Sequence, residues 1–117
     1  MRLRDAFNVE VFKAWVPDDW PDRQFDLVVL SEFLFYVTPK ALDRIVEKVV
    51  DTLASDGVVL ACHWRLPIKD CVLNGDSVHA RLAELLPLPN VCSVLQPECL
   101  LDVWTKAPTA ATLDGLA

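Results

Sequence analysis

Apolar residues along this chain recur with two different periods, and the period names the elements. Residues 25–31, FDLVVLS, are apolar almost without interruption after Asp26. Such a run suits a parallel strand buried on both faces. It ends in Ser31-Glu32, and Thr38-Pro39 then marks a helix start, with Thr as N-cap and Pro at the first helical position. From 39 to 54 the apolar residues fall at Leu42, Ile45, Val46, Val49, Val50 and Leu53, with Asp43, Arg44, Glu47 and Lys48 between them. That spacing predicts an amphipathic helix with one wide buried stripe. Ser55-Asp56-Gly57 closes it, Gly57 suiting a left-handed C-terminal position. VVLACHW (58–64) follows as a second buried strand. Strand, helix and strand on short links make a βαβ unit with parallel strands.

The flanks are less regular. NVEVFKAWV (8–16) alternates imperfectly and is predicted as a strand, followed by a Pro- and Asp-rich loop to residue 24. Downstream, Asn74-Gly75 signals a turn. Asp76 is expected to cap a helix over 77–86, with Val78, Leu82, Leu85 and Leu86 on its apolar face. PLPN breaks that helix. VCSVLQ (91–96) and CLLDVWTK (99–106) are expected as an antiparallel pair separated by Pro97-Glu98. The chain thus divides into one α/β domain over 1–106 and a flexible tail over 107–117.

Composition narrows the function classes. The 117 residues are enough for one small domain, and 53% are hydrophobic, which supports a packed core. The net charge of −6 and the absence of a Lys/Arg cluster exclude nucleic acid and anionic membranes as default partners. No apolar run reaches membrane-spanning length and the N-terminus lacks a secretory h-region, so a cytoplasmic location is expected. The four cysteines, at 62, 71, 92 and 99, form no C-x-x-C pair. No metal site is expected, and all four are read as reduced, with Cys62 and Cys92 as small buried hydrophobes.

Open α/β sheets hold ligands at the carboxyl ends of their strands. Here those ends carry Ser31-Glu32 and His63-Trp64-Arg65. If the two strands are neighbours, both clusters face one crevice. Two readings of Glu32 stand side by side: it meets a ligand, or it caps the following turn and pairs with Arg65 in solvent. His79, one turn into its helix, is read as a surface or cap-region residue. Trp20 and Trp104 are read as core or surface-covering aromatics.

The segments VPDDWPDRQFDLVVLSEFLFYV, HWRLP, NGDSVHARL and LLDVW, in that order, resemble the C-terminal part of class I S-adenosylmethionine-dependent methyltransferases, most closely the nodulation-protein-S-like (NodS-like) group. The resemblance covers roughly residues 8–106. It implies a partial Rossmann-like α/β sheet, mostly parallel, with a C-terminal antiparallel hairpin. FDLVVLSE stands for the fourth strand and DGVVLACHW for the fifth. It implies S-adenosylmethionine as cofactor and N- or O-methyl transfer to a small molecule. By resemblance, Glu32 and His63 are the catalytic candidates. Trp15, Val16, Leu30 and Ser31 border the cofactor, and Phe35, Tyr36, Trp64 and Arg65 border the acceptor.

Two features depart from the family pattern. The glycine-rich loop that holds the cofactor has no counterpart among Gly57, Gly75 and Gly115, and Trp15 stands where the family commonly has an Asp near the adenine. The resemblance therefore implies a chain that starts just before the third strand and that, in isolation, binds S-adenosylmethionine weakly or not at all. The alternatives are a methyltransferase-like remnant serving as an interaction module and, more remotely, an unrelated flavodoxin-like domain. With its fold neighbour absent, the strand at 25–31 is expected to present an apolar edge. The strand at 9–16 moves into the vacant place, or the chain self-associates through that edge or through the stripe of the 39–54 helix.

Overall fold

The computed structural model describes residues 9–10 and 13–108. Its elements run β1 (Phe25–Ser31), a 3-10 turn (Leu34–Tyr36), α1 (Pro39–Thr52), β2 (Leu53–Trp64), α2 (Gly75–Leu85), β3 (Asn90–Leu95) and β4 (Cys99–Thr105). The strands form one sheet in the order β1-β2-β4-β3. β1 and β2 pair in parallel, while β4 lies antiparallel between β2 and β3. Three strands therefore share one direction and β4 opposes them. The expected βαβ unit and closing hairpin are both present.

Both helices lie on one face of the sheet. Strand alternation sends Val28, Leu30, Val59, Ala61 and Trp104 to that face, where they form the core with Leu42, Ile45, Val46 and Val49 of α1 and Val78 and Leu82 of α2. The Thr38 hydroxyl caps α1 by accepting from the Ala41 amide at 3.1 Å, with Pro39 opening the helix as its spacing predicts. Asp43 and Arg81 join the two helices through paired hydrogen bonds of 2.9 and 2.8 Å.

The opposite face is also apolar but uncovered among the described residues: Leu27 is 55% and Val29 54% exposed, with Trp64 and Val94 on the same side. The expectation that β1 is covered on both faces is corrected accordingly. β1 is an edge strand, as expected, but most of the α1 stripe is covered: Ile45 and Val49 are wholly buried, while Val50 is 36% exposed.

Four local readings change. The described parts of 8–16, residues 9–10 and 13–16, form no strand; residues 8, 11 and 12 lie outside the described residues, as do 109–117 of the tail. A strand needs a ladder partner, and the described part of this segment has none. Gly57 does not close α1 in a left-handed conformation; β2 begins at Leu53 directly after the helix, and the residues around 54–57 bulge out between the pairs Phe25–Leu53 and Leu27–Val58. Asn74, not Asp76, caps α2. Its side chain accepts from Ser77 N while the Ser77 hydroxyl accepts from Asn74 N, each at 2.9 Å, a reciprocal capping box that leaves Asp76 in the first turn. Cys92 lies on the exposed strand β3, on the face away from the helices, because β3 is the far edge of the sheet.

Gly75 starts α2 against the backbone of β2: a Cβ there would fall on the Trp64 carbonyl. Gly75→Ala is expected to destabilise the fold by about 1–3 kcal/mol through forced backbone displacement, measured as a lower denaturation midpoint. An unchanged midpoint would mean that α2 is free to move away from the end of β2.

Candidate functional site at the strand carboxyl ends

The parallel register sets Ser31 beside Cys62, and the Glu32 amide continues the ladder to the Cys62 carbonyl at 3.0 Å. The ends of β1 and β2 are therefore adjacent, as the crevice argument requires. Immediately after the ladder, Glu32 takes φ 58°. That left-handed residue turns the chain off the sheet and into the 3-10 turn at Leu34–Tyr36, closed by Tyr36 N donating to Phe33 O at 3.0 Å.

The candidate residues separate by exposure. Ser31, Glu32, Tyr36 and Trp64 reach solvent, Tyr36 with 66% of its surface. Leu30, Phe35 and His63 are buried. Phe35 stacks edge-on between Tyr36 (4.7 Å between centroids) and His63 (5.5 Å). Trp64 belongs to the uncovered face of β2, whereas His63, one residue earlier, points under the helices. Arg65 bonds Asp76 at 2.8 and 3.2 Å and the Gln96 carbonyl at 2.8 Å. It braces the start of α2 to the β3–β4 connection, and its partner is Asp76 rather than Glu32.

Trp15 and Val16 are not brought to the strand ends by any of these bonds. Their segment is tied to α1 through Arg44–Asp18 at 2.8 Å and through Trp20 Nε1 donating to Thr52 at 3.0 Å. Trp15 is 72% exposed, while Val16 packs on the core. Trp104 is a core residue and Trp20 packs against the core, in line with their sequence readings.

The buried His63 is joined to a second buried histidine. His63 Nδ1 lies 3.0 Å from His79 Nε2, and His79 Nδ1 lies 2.6 Å from Asp102 Oδ2. The other Asp102 oxygen accepts from Asn90 at 3.0 Å and from the Ser93 hydroxyl. His79 is thus an interior residue and not a surface one. It shares the buried face of α2 with Val78 and Leu82, and Asp102 alternates with Trp104 on the inner face of β4. A polar residue at an apolar period position on each element was the available sequence signal. The pairing of the two could not be read from it.

Solved structures of similar fold include methyltransferases. A candidate methyltransferase from Pseudomonas syringae is 40% identical over 80% of this chain and 55% of its own, with a TM-score of 0.68. The N-methyltransferase NodS from Bradyrhizobium japonicum WM9, solved with S-adenosyl-L-homocysteine, is 24% identical over 73% of this chain and 47% of its own, with a TM-score of 0.60. DhpI, solved with the same ligand (SAH), is 21% identical over 79% of this chain and 52% of its own, at 0.55. No family model and no curated protein matches the sequence. The fold and the paired strand ends define a partial α/β sheet of the class I methyltransferase type. The chain is similar in fold to NodS, and it spans about half the length of these solved relatives.

Burial, and secondarily the charge that His79 can carry, lowers the His63 pKa from 6.5 to about 4. Asp102 is also lowered: its burial acts upward, but the hydrogen bonds from Ser93, His79 and Asn90 outweigh it. Because the native His63 stays neutral where the unfolded one takes a proton, its contribution is intact above pH 6.5 and is lost as pH falls toward about 4. Asp102 acts in the same direction. The expected loss from His63 is about 3 kcal/mol, measured by urea unfolding across that window. A flat stability profile would show that His63 titrates normally.

Proposed function

We propose that this chain supplies the acceptor-side part of an S-adenosylmethionine-dependent methyltransferase acting on the nitrogen or oxygen of a small molecule. The carrying observation is the exposed Ser31-Glu32 pair at adjoining parallel strand ends, in a chain 40% identical to the Pseudomonas syringae protein. The strand-end hydroxyl and carboxylate fit the amino-acid end of the cofactor. Among the described residues nothing forms the glycine-rich cradle that the adenosyl end needs, so the remaining part of the fold must provide it.

When bound, the cofactor supplies an electrophilic methyl group. In this reading Glu32 accepts the proton that an amine or hydroxyl acceptor gives up. Tyr36 offers an exposed ring beside it for orienting the acceptor. His63, being buried, acts on this site through the turn and not by contact.

Three measurements test this reading. The isolated chain is expected to bind S-adenosylmethionine no tighter than ~1 mM in a calorimetric titration; a low-micromolar constant would overturn the dependence on a missing part. Fusing the N-terminal portion of the Pseudomonas syringae protein ahead of this chain should restore ligand-dependent thermal stabilisation by S-adenosyl-L-homocysteine. In an active fusion, Glu32→Gln should lower turnover by about 100-fold or more with the melting temperature unchanged. A cooperatively folded fusion that binds no ligand would remove the methyltransferase reading.

The uncovered sheet face favours a second reading, an interaction module in which two copies pair along the β1 edge. Leu27 and Val29 point from that edge strand into solvent. Sedimentation at micromolar concentration should then show a dimer that Val29→Lys dissociates. A monomer at every concentration would remove self-association.

A further inference from the structure

We propose that His79 and Asp102 are positioning residues: through His63 they fix the turn that follows Glu32 and carries Tyr36. The 3-10 turn has no side-chain cap of its own at Phe33. Its first buried donor, the Leu34 amide, is instead directed at Nε2 of His63 on the neighbouring strand, 3.4 Å away. Leu34 is wholly buried, so this amide has no water to turn to.

The ends of the chain determine every proton within it. A backbone amide can only donate, so His63 Nε2 must present its lone pair. A neutral His63 then carries its proton on Nδ1, which donates to His79 Nε2 at 3.0 Å. That nitrogen must also be unprotonated, so the His79 proton sits on Nδ1 and is donated to the Asp102 carboxylate at 2.6 Å. A carboxylate can only accept, and the direction is closed from β4 through α2 and β2 to the turn. Asn90 and Ser93 of β3 hold the other carboxylate oxygen, which keeps the anchor from rotating.

The geometry makes Asp102 a remote anchor for residues it does not touch. Consecutive residues of β2 hold alternate amides of the turning segment: the Cys62 carbonyl takes Glu32 N and His63 takes Leu34 N. If the first link alone remains, Glu32 stays on the ladder while Phe33–Tyr36 lose their tie to the sheet. The consequence for catalysis rests on the methyl-transfer reading above; the proton arrangement and the tie do not.

The test is nitrogen-15 NMR of the full chain at neutral pH, without cofactor. Both imidazoles should appear as the Nδ1–H tautomer. In His79→Phe, His63 loses its Nδ1 acceptor, and the Leu34 amide should exchange with solvent about tenfold faster relative to the core amides of Val49 and Val59. An Nε2–H tautomer on either wild-type ring overturns the proposal. So does a folded His79→Phe whose Leu34 exchange is unchanged. If that variant does not fold, the wild-type tautomers decide alone. Because neither readout uses methyl transfer, a failed activity assay on the fusion would count against the proposed function and not against the relay.

Discussion

A single line of buried hydrogen bonds, from Asp102 through His79 and His63 to the Leu34 amide, ties together parts of the fold that apolar packing alone would leave adjustable. Hydrophobic contacts are non-directional and tolerate small slides of a helix over a sheet. A chain of buried donors and acceptors does not, because each shift would leave a group unpaired in low dielectric. The relay sets α2 against β4 and β2, and it sets the turn after β1 against β2. Gly75 permits the same placement sterically, letting α2 begin against the Trp64 carbonyl. Arg65 reinforces it from outside by joining Asp76 of α2 to Gln96.

The second constraint is the asymmetry of the sheet. Parallel strands of doubly covered sheets are apolar on both faces. β1 and β2 keep that composition, yet both helices lie on one side. The chain spans about half the length of its solved relatives. Leu27 and Val29 are exposed on the other side, and among the described residues β1 has no strand on its outer edge. The paired strand ends are present, while a glycine-rich cradle is not among the described residues.

At the candidate site, burial divides roles that look alike in sequence. Glu32 and His63 are both polar residues at strand ends, but one reaches solvent and the other is enclosed beneath the helices. The left-handed turn at Glu32 explains the difference: it lifts the carboxylate off the ladder just as β2 continues inward through His63. Phe35, between His63 and Tyr36, transmits the packing of the interior to the exposed ring.

The apolar run at 25–31, the helical period over 39–54 and the Thr38-Pro39 start are local signals, and each determined its element without help from elsewhere, the helix ending two residues early at Thr52. So did the placing of Ser31-Glu32 at a strand end, since a change from apolar to charged residues marks where burial stops. The capping of α2 was also local, but Asn74 and Asp76 compete two residues apart, and the reciprocal bond with Ser77 chose between them. What lay beyond the sequence were the pairings across distance. Arg65 could have met Glu32 or Asp76, and the position of α2 selected Asp76. His79 and Asp102 are 23 residues apart. Each shows in the sequence only as a polar residue at an apolar position, a pattern equally compatible with an exposed face. Their meaning arises when the antiparallel insertion of β4 beside β2 brings Asp102 against His79 of α2, because hydrogen bonding depends on separation in space and orientation, neither of which a one-dimensional period contains.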